Sequence, residues 1–256
     1  DKDIHSLLKM EEAMEAVEKV FKEKGLGQTM MPAKSYIFFN KYEGDFRVMP
    51  AYLEKDDIAG VKIVNSHPHN PDKYDLPTVM ASIVLLNPKT GMPLSIMNGT
   101  WLTCMRTGAA GGVAAKYLAR KDSRVIGMVG AGMQARTQIE ALSIVLPNIE
   151  EVKVTDKNRK ASEKFAQEVK EELGLNAHPA NNVKEAVIDT DVIVTVTPSR
   201  KPLVMDEWVR KSTHINAIGA DAPGKQELDP AILKRAKIVV DDLEQAVHGG
   251  EVNVSI

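Results

Sequence analysis

Cysteine is almost missing from this sequence. Cys104 is the only one in 256 residues, so no internal disulfide can form and the fold must be held by packing. Long apolar runs are missing too. None reaches the roughly 18 residues that a membrane-spanning helix needs, and the opening DKDIHSLLKMEEAMEAVEKVF lacks the apolar block of a signal peptide. Neither sign of charge is in excess: 33 Lys and Arg face 35 Asp and Glu, for a net charge of −2 and a pI near 6.4. Without a basic stripe there is no electrostatic footprint for nucleic acid. Repeats and low-complexity segments are absent. So is G-x-S-x-G, which removes the nucleophile elbow of the serine hydrolases. A soluble, cytoplasmic protein with no nucleic-acid or membrane partner is expected. The chain opens on Asp1 and not on Met, which leaves room for residues ahead of it.

What is present supports a packed core. Hydrophobic residues make up 43% of the chain, enough for one large domain or two ordinary ones. Residues 7 to 24 repeat apolar side chains at three- and four-residue steps (Met10, Ala13, Met14, Val17, Val20, Phe21), which predicts a helix ended by Gly25. The period then shortens. SYIFF, FRVMP, IAGVKIV, VMASIVLLN and LSIMN read as strands, with NPKTG as a hairpin turn between the last two. Residues 1–105 therefore predict an α+β domain. From residue 106 the texture changes. RTGAAGGVAAKYLAR reads as an Ala-rich helix with small residues that let another backbone approach. Strands VIGMVG, EVKVTD, DVIVTVT, HINAIGA and KIVVDD then alternate with helices MQARTQIEALSIVL and NRKASEKFAQEVKEELG and the shorter VKEAV and DPAILKRA. Such alternation predicts parallel βαβ units, so residues 106–256 are read as an α/β, doubly wound parallel sheet of the Rossmann kind.

The stretch VIGMVGAGMQA sharpens that reading. Gly130, Gly132 and Ala135 match G-x-G-x-x-G/A, which on its own is a weak signal. Here an apolar strand runs straight into it and an amphipathic helix follows. In that setting the first glycine permits the bend, the second lets backbone approach a pyrophosphate, and the small third residue lets helix and strand pack. Free N–H groups at the helix start, Met133 and Gln134 among the residues there, then face the phosphates. Asp156 ends the next strand, close to the roughly 20-residue spacing at which an acid holds the ribose hydroxyls. It favours NAD over NADP, although Lys157 and Arg159 beside it weaken the preference, and capping the next helix is its plain structural alternative.

Ligands of open α/β sheets lie beyond the carboxyl ends of the strands. Thr195 and Thr197 in VIVTVTPSRKP, and Gly219 and Asp221 in HINAIGADAPGKQEL, stand there. β-Propensity accounts equally well for the threonines, and an Asx turn for Asp221. The first half holds Lys34 in MPAKSYIFF, Arg47 in DFRVMP and Lys62 in AGVKIVNSHPHN, with Arg106 ahead of the Ala-rich helix. Any one cation on a strand can simply face solvent. Several together suit a carboxylate, and a lysine in a dry cleft can exchange protons near neutral pH. His67 and His69 form H-x-H, but no cysteine or carboxylate cluster completes a site, so no metal is expected. Cys104 reads as a small buried hydrophobe.

FRVMPAYL, GVKIVNSHPHNPDK, LPTVMASIVLLNPKTGMPL, MRTGAAGGVAAKYLAR, GAGMQA, TPSRKP, HINAIGADAPGKQELD and KIVVDDLEQAVHGGEVN stand in this order along essentially the whole chain. In this the sequence resembles the ornithine cyclodeaminase/μ-crystallin family. The resemblance implies homodimers in which a substrate and dimerisation domain is joined to an NAD-binding Rossmann domain. It implies that Lys62 is catalytic and Asp221 its acid/base partner. It implies that Lys34 and Arg106 contact the substrate carboxylate and that Thr107 holds a cofactor phosphate. Family chains continue past HGGEVNVSI, so a segment beyond Ile256 is expected to complete the first domain.

One position discriminates among the family's activities. In the cyclodeaminases the residue two before Met-Pro is acidic and serves the amino-acid substrate. Here Arg47 stands there, which would repel the side-chain ammonium of ornithine and welcome a carboxylate. The expected activity is therefore NAD-dependent oxidative deamination of L-alanine to pyruvate and ammonia, and its reverse. The alternatives are cyclisation of ornithine to proline on bound NAD, reduction of a cyclic ketimine, and a non-catalytic NAD(P)H-binding protein like the μ-crystallins.

Overall fold

The computed structural model describes residues 2–255 and divides into two compact units, Asp1–Arg106 and Thr107–Ile256. In the first unit, α1 (Lys2–Leu7) and α2 (Met10–Gly25) precede the strands β1 (Thr29–Met30), β2 (Ser35–Phe39), β3 (Gly44–Leu53) and β4 (Ile58–Ser66). A short α3 (Asn70–Tyr74) follows, then β5 (Val79–Leu86) and β6 (Pro93–Asn98). The strands form one antiparallel sheet in the order β1-β3-β4-β5-β6, with β2 also paired to β3. NPKTG makes the predicted hairpin turn: Asn87 N donates to the Met92 carbonyl at 2.9 Å.

The helix predicted over 7–24 is α2, which starts three residues later, with the separate α1 ahead of it. Lys9 is extended (φ −95°, ψ 156°), and the Glu12 side chain accepts from the Lys9 N–H at 3.1 Å, so a new helix starts at Met10. The apolar stripe continues in α2, where Met10, Ala13 and Met14 are buried.

Helix α4 (Thr100–Leu118) carries the chain into the second unit. It starts six residues before the predicted Ala-rich segment, because Asn98 Oδ1 accepts from Thr100 N at 2.8 Å. The second unit continues with β7 (Val125–Val129), α5 (Met133–Val145), β8 (Glu151–Thr155), α6 (Arg159–Leu173) and β9 (Asn176–Pro179). Then come α7 (Val183–Val187), β10 (Val192–Thr195), β11 (Arg200–Val204), β12 (His214–Ala217), β13 (Gln226–Leu228), α8 (Pro230–Arg235) and α9 (Leu243–Gly249). Five strands form a parallel sheet in the order β12-β10-β7-β8-β9, and β11 pairs in parallel with β13. That is the doubly wound Rossmann order, with the crossover reversing direction beside β7.

Alternation along the strands fills both faces of this sheet. Ile126, Met128, Val192 and Val194 pack into one cluster with Ile139, Leu142 and Phe165. Val129 and Ile193 point the other way, into a cluster with Val187, Val204 and Ile232. The segment KIVVDD is a correction to the predicted strands. Among the described residues it pairs with no strand, and Ile238, Val239 and Val240 are exposed. The parallel sheet ends at β12, which pairs only with β10, and among the described residues the run does not join that edge.

The small residues of α4 do let another helix approach closely. A Cβ on Gly108 would lie 2.4 Å from the Thr137 carbonyl oxygen of α5. Nearby, Gln138 Nε2 donates to the Thr107 carbonyl at 2.8 Å. Gly108→Ala should therefore destabilise the protein by about 1–3 kcal/mol, the usual range for overpacking. Helix propensity alone would predict a gain from the same change. Urea unfolding of the two proteins decides between the signs.

Candidate active site

The first group of candidate residues sits on the antiparallel sheet of the first unit, and the register explains why they meet. Tyr36 of β2 pairs with Arg47 of β3, and Met49, two residues on, pairs with Lys62 of β4. Side chains two apart in a strand share a face. Lys34, Tyr36, Asp45, Arg47 and Lys62 therefore share one face of the sheet. Tyr36 carries the Lys34 ammonium and the Arg47 guanidinium, each 5.5 Å from its ring centre. Arg47 is buried and clamped by the buried Asp45, with Nε to Oδ1 at 2.9 Å and Nη2 to Oδ2 at 3.0 Å.

Lys62 is the perturbed group. Its amine is pushed down from the ordinary 10.5 to about 6, first by burial, then by the charges of Arg106, Lys34 and Arg47. Both causes disfavour the ammonium form. Arg106 reaches the cluster from α4, where it follows the buried Cys104 and Met105. Burial likewise raises the Cys104 thiol, consistent with the small buried hydrophobe expected from the sequence. All four predicted cations thus belong to one electrostatic cluster. Sequence reasoning missed Asp45 and Tyr36. Their signal was the period-2 spacing about Arg47 and Lys34, which becomes readable only once the strand register is known.

His67 and His69 take structural places. A Cβ on Gly44 would lie 2.5 Å from the His67 ring, and His69 Nε2 contacts Glu43 Oε2 at 3.0 Å. Among the described residues no group of three metal-ligating side chains occurs.

The second group lies at the carboxyl ends of the parallel strands in the second unit. β7 ends on Gly130, whose φ of +107° suits glycine alone. A Cβ there would also meet Val196 at 3.0 Å. Gly130 N donates to the Thr155 carbonyl, and Asp156 Oδ2 accepts from Ala131 N at 2.8 Å. Asp156 does not cap the next helix; Asn158 does, accepting from Lys160 N. Gly132 is exposed, and a Cβ on it would meet nothing within 4 Å. The turn therefore leaves open space above the N-terminus of α5, as a pyrophosphate requires. A carboxylate accepts about four hydrogen bonds, so Asp156 keeps capacity for ribose hydroxyls after its bonds to Ala131 and Asn158. These features fit a dinucleotide. Met133 and Gln134 open α5, with Met133 exposed, and Thr107 lies on α4.

Other expected cofactor contacts are placed differently. Thr195 is wholly buried in β10 and presents no surface to a ligand. The Thr197 hydroxyl donates to Glu227 Oε1 at 2.7 Å, and Gly219 N donates to Glu227 Oε2 at 2.9 Å. Asp221 is partly exposed and accepts from Lys225 Nζ at 2.6 Å. Glu227, which lies within HINAIGADAPGKQELD but was given no role there, is thus the centre of this end of the sheet.

The Lys62 shift has a stability consequence. Between about pH 6 and 10.5 the unfolded chain holds the Lys62 proton and the folded chain does not. Stability therefore rises with pH through that window, and the full cost is present below it. Lys62→Met should raise Tm, and by more at pH 6 than at pH 9. Equal gains at both pH values in thermal melts would mean that the amine is not perturbed.

A model of the ornithine cyclodeaminase/mu-crystallin family matches residues 1–256. The alanine dehydrogenase of Archaeoglobus fulgidus is 56% identical over 256 residues, 99% of this chain and 76% of that protein. A solved archaeal alanine dehydrogenase, a dimer with bound NAD, is similar at a TM-score of 0.93 and 56% identity, covering 100% of this chain and 77% of that one. The Δ(1)-pyrroline-2-carboxylate reductase of Thermococcus litoralis, solved with NADH and L-proline, is similar at a TM-score of 0.95 and 42% identity, covering 99% of this chain and 78% of that one.

Proposed function

The chain belongs to the ornithine cyclodeaminase/mu-crystallin family, and from that premise we propose that it is an NAD-dependent alanine dehydrogenase of the cytoplasm, working as a homodimer. The observation that carries an enzymatic reading is the Lys62 amine, lowered to about 6 inside a cluster of cations. The identity with the archaeal alanine dehydrogenase supports the choice of substrate. In the reaction, L-alanine, water and NAD⁺ give pyruvate, ammonium, NADH and a proton.

In this reading the first unit binds the amino acid and carries the dimer contacts, and the second binds NAD. Lys34, Arg47 and Arg106 hold the substrate carboxylate. Lys62, poised near neutrality, gives or takes the proton at the oxygen of the carbinolamine and carbonyl. Asp221 manages the proton of the attacking water. Gly130, Gly132, Met133 and Gln134 hold the pyrophosphate, with Thr107 at a phosphate and Asp156 on the ribose. Thr197 and Gly219 shape the end of the site through their backbone. When bound, NAD supplies the hydride acceptor for the substrate Cα.

The likeness to the pyrroline-2-carboxylate reductase favours a second reading, reduction of a cyclic imino acid. NADH absorbance separates the readings. NADH should accumulate with NAD⁺ and L-alanine, and not with L-ornithine. Proline formed from ornithine without net NADH would mean a cyclodeaminase. NADH consumed by a cyclic imine, with alanine inert, would mean the reductase. Lys62→Ala and Asp221→Ala should each remove most turnover with NAD binding nearly intact, and an unchanged kcat in either removes that residue from the scheme.

A further inference from the structure

Glu227 is wholly buried, yet it lies on β13 among backbone that belongs to the strand ends. Its carboxylate accepts from Thr197 and Gly219, and the buried Thr195 hydroxyl also faces it. Thr197 N and Thr197 Oγ1 both reach Oε1 at 2.7 Å, and Gly219 N reaches Oε2 at 2.9 Å. Thr197 follows the end of β10, and Gly219 follows the end of β12, its parallel neighbour. One side chain thus ties two adjacent strand ends at the edge where a doubly wound sheet binds its ligands. Space there is fully used. A Cβ on Gly219 would lie 2.2 Å from the Thr197 carbonyl oxygen and 2.5 Å from Glu227 Oε2.

Glu227 is held in turn. Glu251 accepts from the backbone N–H of Glu227 and of Leu228, at 2.9 and 2.6 Å. A simple structural tie would not need an acid, since burying a carboxylate is costly, and burial does push the Glu227 carboxyl upward. The arrangement instead requires an acceptor on both sides. Two oxygens face donors only, and a carboxylate is the side chain that accepts at both.

Asp221 stands two residues beyond Gly219, on the loop that this tie anchors at its start. We propose that Glu227 is a positioning residue for Asp221: by holding the Gly219 N–H against the Thr197 backbone it fixes where the Asp221 carboxylate stands. The inference rests on the acid/base role given to Asp221 above. Around Glu227 the charged groups are Glu251 behind it and the Asp221–Lys225 pair on the same loop.

Glu227→Gln tests this. An amide oxygen can replace one carboxylate oxygen, but its NH₂ then faces a backbone N–H, donor against donor. The expected variant has a Tm within a few degrees of the parent and an NADH Kd, read by fluorescence titration, within about threefold. Its kcat should fall at least about tenfold. The limb of its kcat/KM pH profile that reports Asp221 should also move. Thr197→Val, which removes one donor and leaves the carboxylate, should show the same changes on a smaller scale, and it serves if Glu227→Gln does not fold. Three results would overturn the proposal: an unchanged kcat, a loss of kcat with the limb unmoved, or a loss shared by Tm and NADH binding. Asp221→Asn is measured beside them. Wild-type turnover in that variant refutes the role of Asp221 itself, and the positioning role with it, whereas failure confined to the Glu227 and Thr197 variants refutes the positioning alone.

Discussion

Like charges crowded on one face of a sheet set the terms for the first unit. Period-2 alternation and the β2-β3-β4 register place Lys34, Arg47 and Lys62 on the same face, and α4 adds Arg106. Such a cluster is tolerable only if something lowers its charge. Asp45 neutralises Arg47 through two hydrogen bonds, and the Tyr36 ring offers its negative face to two cations. Lys62 gives way instead by releasing its proton. What would be a fault in a core is the means by which a lysine becomes an acid or base near neutral pH.

The second unit solves a different problem, that of leaving backbone donors available at the ends of parallel strands. The turn after β7 does so through Gly130 and through open space at Gly132. Asp156 links that turn to the end of β8. The ends of β10 and β12 are closed by a buried carboxylate, which consumes donors that a ligand would otherwise meet. The sheet thus offers an open cradle on one side of the crossover and a fastened edge on the other.

Substrate choice within the family turns on smaller features than the fold. A hydrophobic pocket separates substrates differing by one methylene by only about 1–3 kcal/mol. Charge discriminates more sharply, and the acidic residue expected of the cyclodeaminases is replaced here by Arg47. Because Asp45 already pairs with Arg47, that cation acts as half of a fixed pair, and its welcome for a carboxylate is a matter of geometry as much as of net charge.

Much of this was legible in the residues themselves. Alternating strand and helix periods set the Rossmann half, since hydrophobic spacing follows directly from helix and strand geometry. G-A-G-M-Q-A located the phosphate turn, because a positive φ and a close approach restrict the residue type. The four cations were named from their apolar neighbourhoods, and the order of motifs along the chain pointed to the family. Only the tertiary structure decided the rest. KIVVDD has the composition of a strand but pairs with none among the described residues, and pairing is a property of the whole sheet. Helix α2 starts at Met10 because of a local capping bond that the apolar stripe does not reveal. Asp45, Tyr36 and Glu227 stand within quoted stretches, but nothing in those stretches assigns them a role; the roles come from the partners that strand register and strand ends bring to them. Charge, shape and register meet at those residues only after the chain has folded.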